Sequence, residues 1–506
     1  MTTSCAPAGA ARASAPRAAA RRRASAMVLS LSIKATCLGG DYRFRCVAQC
    51  PRGAPPMQGP YHSDLYDTAR AAPSWWERTA APPPARPALE GDIETEIAII
   101  GGGYAGLSCA EALGARGIGA VVLDAGEIGW GASGRNGGIV GLGSDKLGAT
   151  EIARRWGEAE TRAYFGAYVD NARRIRTFCE AEGVETQGAH EAFVAQTRGA
   201  LDGLRSEAEV SARFGLEVET LSREAYAERG FEGPEQHGAV LVRPGFGVHP
   251  LQLARARAAS AERAGARLFP RSEAVAWRRE GRRHLLECSQ GAIRADRVLL
   301  AANGFMQDRL HPAFAARAMP VLSMIGVTRP LTTAERDAHR WREDGVLCSA
   351  RRMLYYFRML PQGRLLFGMR GDLSGSEASA GRLADRLRAH LGQAFPHWRD
   401  IPLEHFWRGP VCMTRALRPS IGLLPDDPSV AFAFGWHGSG VNGATLGGRL
   451  AAGLLAGDNR ETTPAPMRGL PPRIPAPGLR KVWLGAWLAA YRVRDRLDDL
   501  RGARAQ

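Results

Sequence analysis

In Gly101-Gly102-Gly103-Tyr104-Ala105-Gly106 the glycines at 101, 103 and 106 have the spacing of a turn built to admit a phosphate. Gly101 suits a tight turn out of a strand, and Gly103 removes a side chain from the approach to a pyrophosphate. Gly106 lets the next helix pack close to that strand. The N–H groups and dipole at the start of the helix then favour negative charge. Asp124 lies 18 residues beyond Gly106, where a carboxylate can accept bonds from ribose hydroxyls. Two further glycine-rich stretches follow, "AGEIGWGASGRNGG" at 125–138 and "GWHGSGVNGATLGGRLAAGLLAG" at 435–457. The first motif predicts a bound dinucleotide.

The elements that must hold these residues are legible around them. "EIAII" at 96–100 reads as a strand buried on both faces. Leu107, Ala110 and Leu113 fall at helical spacing, with Gly117 as a stop, and "AVVLD" at 120–124 is a second strand. Residues 150–230 read as helical and charged, and "HPLQLARARAASAERAGARL" near 250–268 as another amphipathic helix. "ADRVLLAANG" at 295–304 is a strand ending in Gly304, and 320–410 alternates like antiparallel sheet. The nucleotide-type elements are therefore split into three blocks. The fold expected is α/β, a Rossmann-like binding domain discontinuous in sequence plus a substrate domain with antiparallel sheet and helices. The boundaries expected are 93–150, 246–319 and 411–457 for the first, and 151–245 and 320–410 for the second.

The remaining segments read differently. Residues 1–56 are rich in Ala, Arg and Ser, hold one acid (Asp41), and are expected to be disordered or an over-extended start ahead of Met57. Residues 57–92 form a proline-rich lead-in. Residues 458–506 form a tail whose "LRKVWLGAWLAAYRVRDRL" is one amphipathic helix, with Trp483, Trp487 and Tyr491 expected on its packed face.

Charge and composition exclude several classes. The formal net charge of +16 resides mostly at the ends, +8 in 1–56 and +5 in 457–506, leaving +3 on the 400 residues between. Nucleic acid is therefore not an expected partner. Nine cysteines without a CxxC pair give no metal site and no disulfide framework, so a reducing, cytoplasmic location is expected. No apolar run approaches the roughly 18 residues of a membrane span.

Taken with "GASGRNGG", "HPLQLARARAASAERAGARLF", "EAVAW" (273–277), "ADRVLLAANG" and "GWHGSGVNG", the chain resembles the D-amino-acid-oxidase-like family of FAD-dependent oxidoreductases. Its motifs are most similar to the gamma-glutamylputrescine oxidoreductase branch. The resemblance covers about 93–457 and implies FAD as cofactor. It implies that Ser133, Arg135, Asn136 and Gly137 lead from the pyrophosphate to the flavin ring. By the same resemblance Val275 sets its backbone against adenine, Gly304 ends a cofactor strand, and Gly440, Val441 and Asn442 offer N–H groups to the reduced ring. The implied reaction is oxidation of a primary or secondary amine, or an amino acid, to an imine. Hydride passes to flavin, and oxygen or another acceptor takes the electrons.

Substrate-side residues are weaker readings. Tyr356 is a candidate for the pocket wall, with sheet packing as its alternative, and Arg358 a candidate partner for a substrate carboxylate. His437 is either structural or near the substrate. Cys412 is a buried small hydrophobe or, as in sarcosine oxidases of the family, a covalent flavin attachment. Those oxidases also use a lysine beside the flavin, and none of the three lysines here falls in the expected substrate-domain sheet. Oxidase and dehydrogenase therefore both stand. The rival functions are an FAD-dependent RNA-modification enzyme and a non-catalytic flavin-binding assembly protein.

Overall fold

Alternation along the strand Gly91–Ile100 divides the first core in two. Ile97 and Ile99 face the helices Tyr104–Gly114, Pro250–Arg263 and Gly440–Ala456, with Val122 of the next strand beside them. Ala98 and Ile100 face the opposite way, onto a cluster with Leu286, Ile293, Phe314, Phe432 and Phe434. The computed structural model in which this is seen describes residues 57–142, 146–458 and 462–503. The expectation for residues 1–56 lies outside the described residues.

That strand is central to an eight-stranded sheet. It pairs in parallel with Gly291–Leu300 on one side and Ala120–Leu123 on the other, and Arg267–Phe269 extends the parallel run. Ala276–Glu280 and Arg283–Glu287 add an antiparallel flank, while Val430–Phe434 joins Gly291–Leu300 in parallel. Strands far apart in sequence thus lie side by side. The mixed α/β fold with this sheet and these helices is the one expected.

A second eight-stranded sheet runs in the order Leu403–Met413, Met319–Pro330, Arg364–Asp372, Tyr355–Met359, Val346–Ser349, Glu191–Val194, Ala239–Arg243, Glu217–Leu221. All its pairs are antiparallel except Val346–Ser349 with Glu191–Val194. One face carries an aromatic core under the helix Ala380–Ala394, built from Phe231, Phe357, Phe367, Phe395 and Trp398.

Three expectations need correction. Residues 150–230 are not all helical: Ala149–Ala181 and Arg198–Arg213 are helices, but Glu191–Val194 and Glu217–Leu221 are strands of the second sheet. Their apolar content is too short to outweigh the charged helical pattern around them. The boundary at 411 falls inside a strand, because Val411, Cys412 and Met413 continue the pairing of Leu403–Met413 with Met319–Pro330. Finally, 57–92 is more than a lead-in. Trp76, on the short helix Trp75–Thr79, is 1% exposed and packs against Trp407 and His249.

The same indole donates from Nε1 to the Asn136 carbonyl at 2.8 Å, and the Ser74 hydroxyl donates to the Gly134 carbonyl at 3.2 Å. This segment therefore holds the second glycine loop in place. Trp76→Ala should cost about 3–5 kcal/mol of stability by leaving a cavity. Chemical denaturation is the measurement, and a loss under 1 kcal/mol would contradict the clamp.

Candidate active site

Two glycine contacts bring two helix N-termini to one place. A Cβ on Gly106 would lie 1.9 Å from the Gly101 carbonyl oxygen, so only hydrogen fits where helix meets strand. A Cβ on Gly448 would lie 2.0 Å from the Ala105 oxygen, which presses the helix Gly440–Ala456 onto Tyr104–Gly114. Gly101 itself has φ of 115°, a conformation that L side chains rarely adopt. Gly103 caps its helix without a side chain, and no side chain caps Gly440–Ala456 either. Both helix starts open on a cleft lined by Gly101, Gly103, Tyr104 and Ala105 on one side and Gly440, Val441 and Ala444 on the other.

The cleft is long and opens to solvent, with about 240 Å³ of space for the centres of water-sized spheres. Asp124 lines one end, its carboxylate accepting the Gly102 N–H at 2.7 Å and the Gly126 N–H at 2.9 Å. Burial pushes its pKa up to about 6, against the lowering effect of the two N–H bonds. It is therefore ionised at neutral pH and keeps lone pairs for further donors. Ser133 accepts the Tyr104 N–H at 3.0 Å, tying the second glycine loop to the first helix. Asn136 holds the loop's shape: its amide donates to the Ala132 and Ser133 carbonyls, and its oxygen accepts the Gly138 N–H. Arg135 stacks its guanidinium 4.0 Å from the Trp130 ring, and its carbonyl accepts the Trp407 indole N–H at 2.9 Å.

Not every expected cofactor residue reaches the cleft. Gly106 acts by packing and Gly137, which lines it, by making room: a Cβ there would sit 3.0 Å from the Tyr356 ring. Val275 is not on the wall. Its N–H is used by the Glu287 carbonyl, and Ser272, Glu273 and Ala274 line the cleft instead. Gly304 faces Pro410 and Cys412, leaving Asn303 on the wall. The Asn442 side chain, as distinct from the backbone N–H expected to face the cofactor, turns away, donating to the Gly141 and Tyr168 carbonyls and so fastening its helix to neighbouring segments.

The far end of the cleft contains groups that sequence reading placed only in part. Tyr356 is there, its ring between Gly137 and Gly368 and its hydroxyl 2.8 Å from Ser323 Oγ. Arg358, two residues on, is not. Backbone at Gly138 and Gly247 covers it, and its Nη2 donates to the Val248 carbonyl at 2.8 Å. His437 lines the cleft with φ of 53°; burial pushes its pKa down to about 3, so the ring is neutral, and its Nδ1 has no partner among the described residues. Cys412 also lines it, but burial raises the thiol to about 12, which keeps it protonated.

Three residues were missed. Arg370, 4% exposed, donates from Nη2 to the His437 carbonyl at 3.2 Å, while Nη1 has no partner among the described residues. Burial lowers its pKa. Glu191, fully buried on the wall, accepts the Leu142 N–H at 3.3 Å and the Cys348 thiol at 3.6 Å. Burial raises its pKa to about 7. Lys146 lies outside both sheets, yet its charge reaches His437 and Cys348. The only signal for Glu191 was a single acid before "AFV", and Arg370 is one of 64 arginines.

The residues present fit FAD. The two helix starts, whose own N-cap residues bond no N–H by a side chain, the glycines along the inner wall and the ionised Asp124 provide for a pyrophosphate and a ribose. Unpartnered polar atoms at Arg370 and His437 mark the end where a flavin ring and substrate would lie. The fold and site thus define a flavoprotein with a Rossmann-type cofactor cleft closed by an antiparallel sheet. The model of the DAO family, FAD dependent oxidoreductase, matches residues 96–454, and the chain belongs to that family. It is an FAD-dependent oxidoreductase.

Two relatives span most of it. "Probable oxidoreductase OrdL" of Rhizobium meliloti (strain 1021) is 29% identical over 427 residues, covering 84% of this chain and 97% of that protein. The gamma-glutamylputrescine oxidoreductase of Escherichia coli (strain K12) is 28% identical over 422 residues, covering 81% and 95%. Among solved structures, glycine oxidase from Geobacillus kaustophilus has the same fold, with a TM-score of 0.61 at 20% identity over 75% of this chain and 99% of that one.

Asp124→Ala should weaken FAD binding by about 10- to 100-fold, the value of hydrogen bonds to a charged group. Titration of the FAD-free protein measures it, and unchanged affinity would remove Asp124 from the ribose site.

Proposed function

We propose that this oxidoreductase removes hydride from the carbon beside an amine whose molecule also carries a carboxylate, a gamma-glutamylputrescine-like compound or an amino acid. The observation that carries this reading is the pair of opposite buried charges, Glu191 and Arg370, on the wall of one cleft. Burying an ionised group costs several kcal/mol unless it is paired. Among the described residues Glu191 has only an N–H and a thiol, and Arg370 one carbonyl. A substrate with an ammonium and a carboxylate would complete both. The name of the Escherichia coli relative points the same way.

Within this reading the bound FAD supplies the hydride acceptor. The chain orients the substrate: Arg370 takes its carboxylate, Glu191 holds an amine, and Tyr356 with Ser323 closes the side of the chamber. The neutral His437, whose Nε2 donates to the Arg418 carbonyl at 3.1 Å, accepts one hydrogen bond at Nδ1 without adding charge. The imine formed would leave the protein or hydrolyse.

Anaerobic bleaching of the bound flavin by a panel of amines tests the proposal. Compounds bearing both charges should reduce it, and Arg370→Met should lower kcat/KM for them by about 10- to 100-fold while sparing uncharged-tail amines. Equal reduction by simple monoamines, or by none of the panel, would overturn it.

Glu191 also gives a pH prediction. Its folded pKa of about 7 lies above the 4.5 of an exposed glutamate. The unfolded chain therefore binds fewer protons between those values, and stability falls as pH rises through that window. Glu191→Gln should remove this slope, so that its melting temperature gains on the parent's between about pH 4.5 and 7. On activity, kcat/KM for a cationic substrate should rise through about pH 7 in the parent only. Parallel profiles for parent and variant would show that the group does not titrate there.

A further inference from the structure

Six of the eight large hydrophobic residues exposed among the described residues lie between Leu479 and Leu500, on or beside the C-terminal helix Arg480–Ala503. This helix has two apolar faces. One is spent: Leu484 and Leu488 are buried against Tyr61, Leu65 and Leu322, with Trp487 and Tyr491 partly covered. Contrary to expectation Trp483 does not join that face, and is 45% exposed. At 100° per residue, Val482, Trp483, Ala486, Val493, Leu497 and Leu500 fall within an arc of about 120° on the opposite side.

The charges are sorted as well. Asp495 accepts the N–H groups of Arg352 and Met353, Asp499 pairs with Arg351 at 2.9 Å, and Asp498 pairs with Arg352. All three acids of the helix are thus turned to the body. Exposed Arg494 lies at one edge of the outer stripe and exposed Arg496 at the other, while Arg492 reaches back to Gly371 on the body. The outward surface is apolar along its middle and basic along both sides.

We propose that this face docks on an anionic lipid surface, with the helix lying in the interface. Apolar burial at the headgroup boundary with arginines among anionic headgroups is the arrangement such a surface selects. A second copy suits it less. A two-fold contact through the stripe would set the same arginines against one another with the acids already engaged elsewhere. No helix among the described residues is long and apolar enough to cross a membrane, so the contact is peripheral.

The test is co-sedimentation of the full-length holoprotein with sucrose-loaded vesicles of phosphatidylcholine, with and without phosphatidylglycerol. The basic 1–56 segment can add charge-driven binding, so the readout is dependence on the helix. Val493→Asp with Leu497→Asp, and separately Arg494→Glu with Arg496→Glu, should each lower binding to the anionic vesicles by about tenfold. Flavin content and turnover should stay at parent level, showing that these exposed positions leave the fold intact. Absence of vesicle binding, or binding equal in parent and variants, would overturn the proposal. So would a concentration-dependent dimer that the Val493→Asp, Leu497→Asp protein loses while vesicles bind neither form, which would assign the stripe to a second copy.

Discussion

The site depends on backbone touching backbone at two glycines. Gly106 against the Gly101 carbonyl sets the first helix on its strand, and Gly448 against the Ala105 carbonyl sets the last helix on the first. A methyl group at either would separate elements by more than a close-packed interior can absorb. The Gly106 contact lies in the first turn of its helix and the Gly448 contact about two turns into the other, and both helices start on one cleft. The anion-binding character of the cleft is thus a consequence of packing.

Around this junction the protein secures irregular chain with aromatic donors. The loop 126–138 has little regular structure, yet indole N–H groups from Trp76 and Trp407 hold the carbonyls of Asn136 and Arg135. Trp130 in turn donates to the Arg70 carbonyl at 2.7 Å. Loop backbone that must lie under a cofactor is in this way satisfied from outside the cleft, leaving the inner face bare. The 57–92 segment, far from the cleft in sequence terms, backs its wall through Ser74 and Trp76, and Met57 lines it.

The opposite end of the cleft has another logic. There the second sheet places on the cleft wall two buried charged groups that lack full pairing among the described residues, Glu191 and Arg370, and Arg370 donates to the carbonyl of the neutral His437. Their shifted pKa values have one cause, desolvation, and burial of this kind persists where a ligand completes the bonding. Glycine-lined wall and charged wall meet across Tyr356, whose ring fits only because Gly137 and Gly368 carry no side chain.

The cofactor half was legible in the sequence because its determinants are local. A strand, a turn with φ available only to glycine, a helix and an acid at fixed remove all lie within Glu96–Asp124, and their spacing is itself the geometry. The antiparallel character of 320–410 was legible for a similar reason, as alternation needs no partner to be seen. What only the tertiary structure decided was which side chains share a chamber. Val275, Gly304 and Asn442 lie in the right motifs but outside the cleft wall, and Arg358 is on the right strand face but under the backbone of 138 and 247. Glu191 and Arg370 line one cleft because strands more than 170 residues apart in sequence, with two others between them, belong to one sheet. No periodicity records such a meeting: burial and pairing depend on what packs against a residue from elsewhere in the chain, and spacing carries information only about near neighbours.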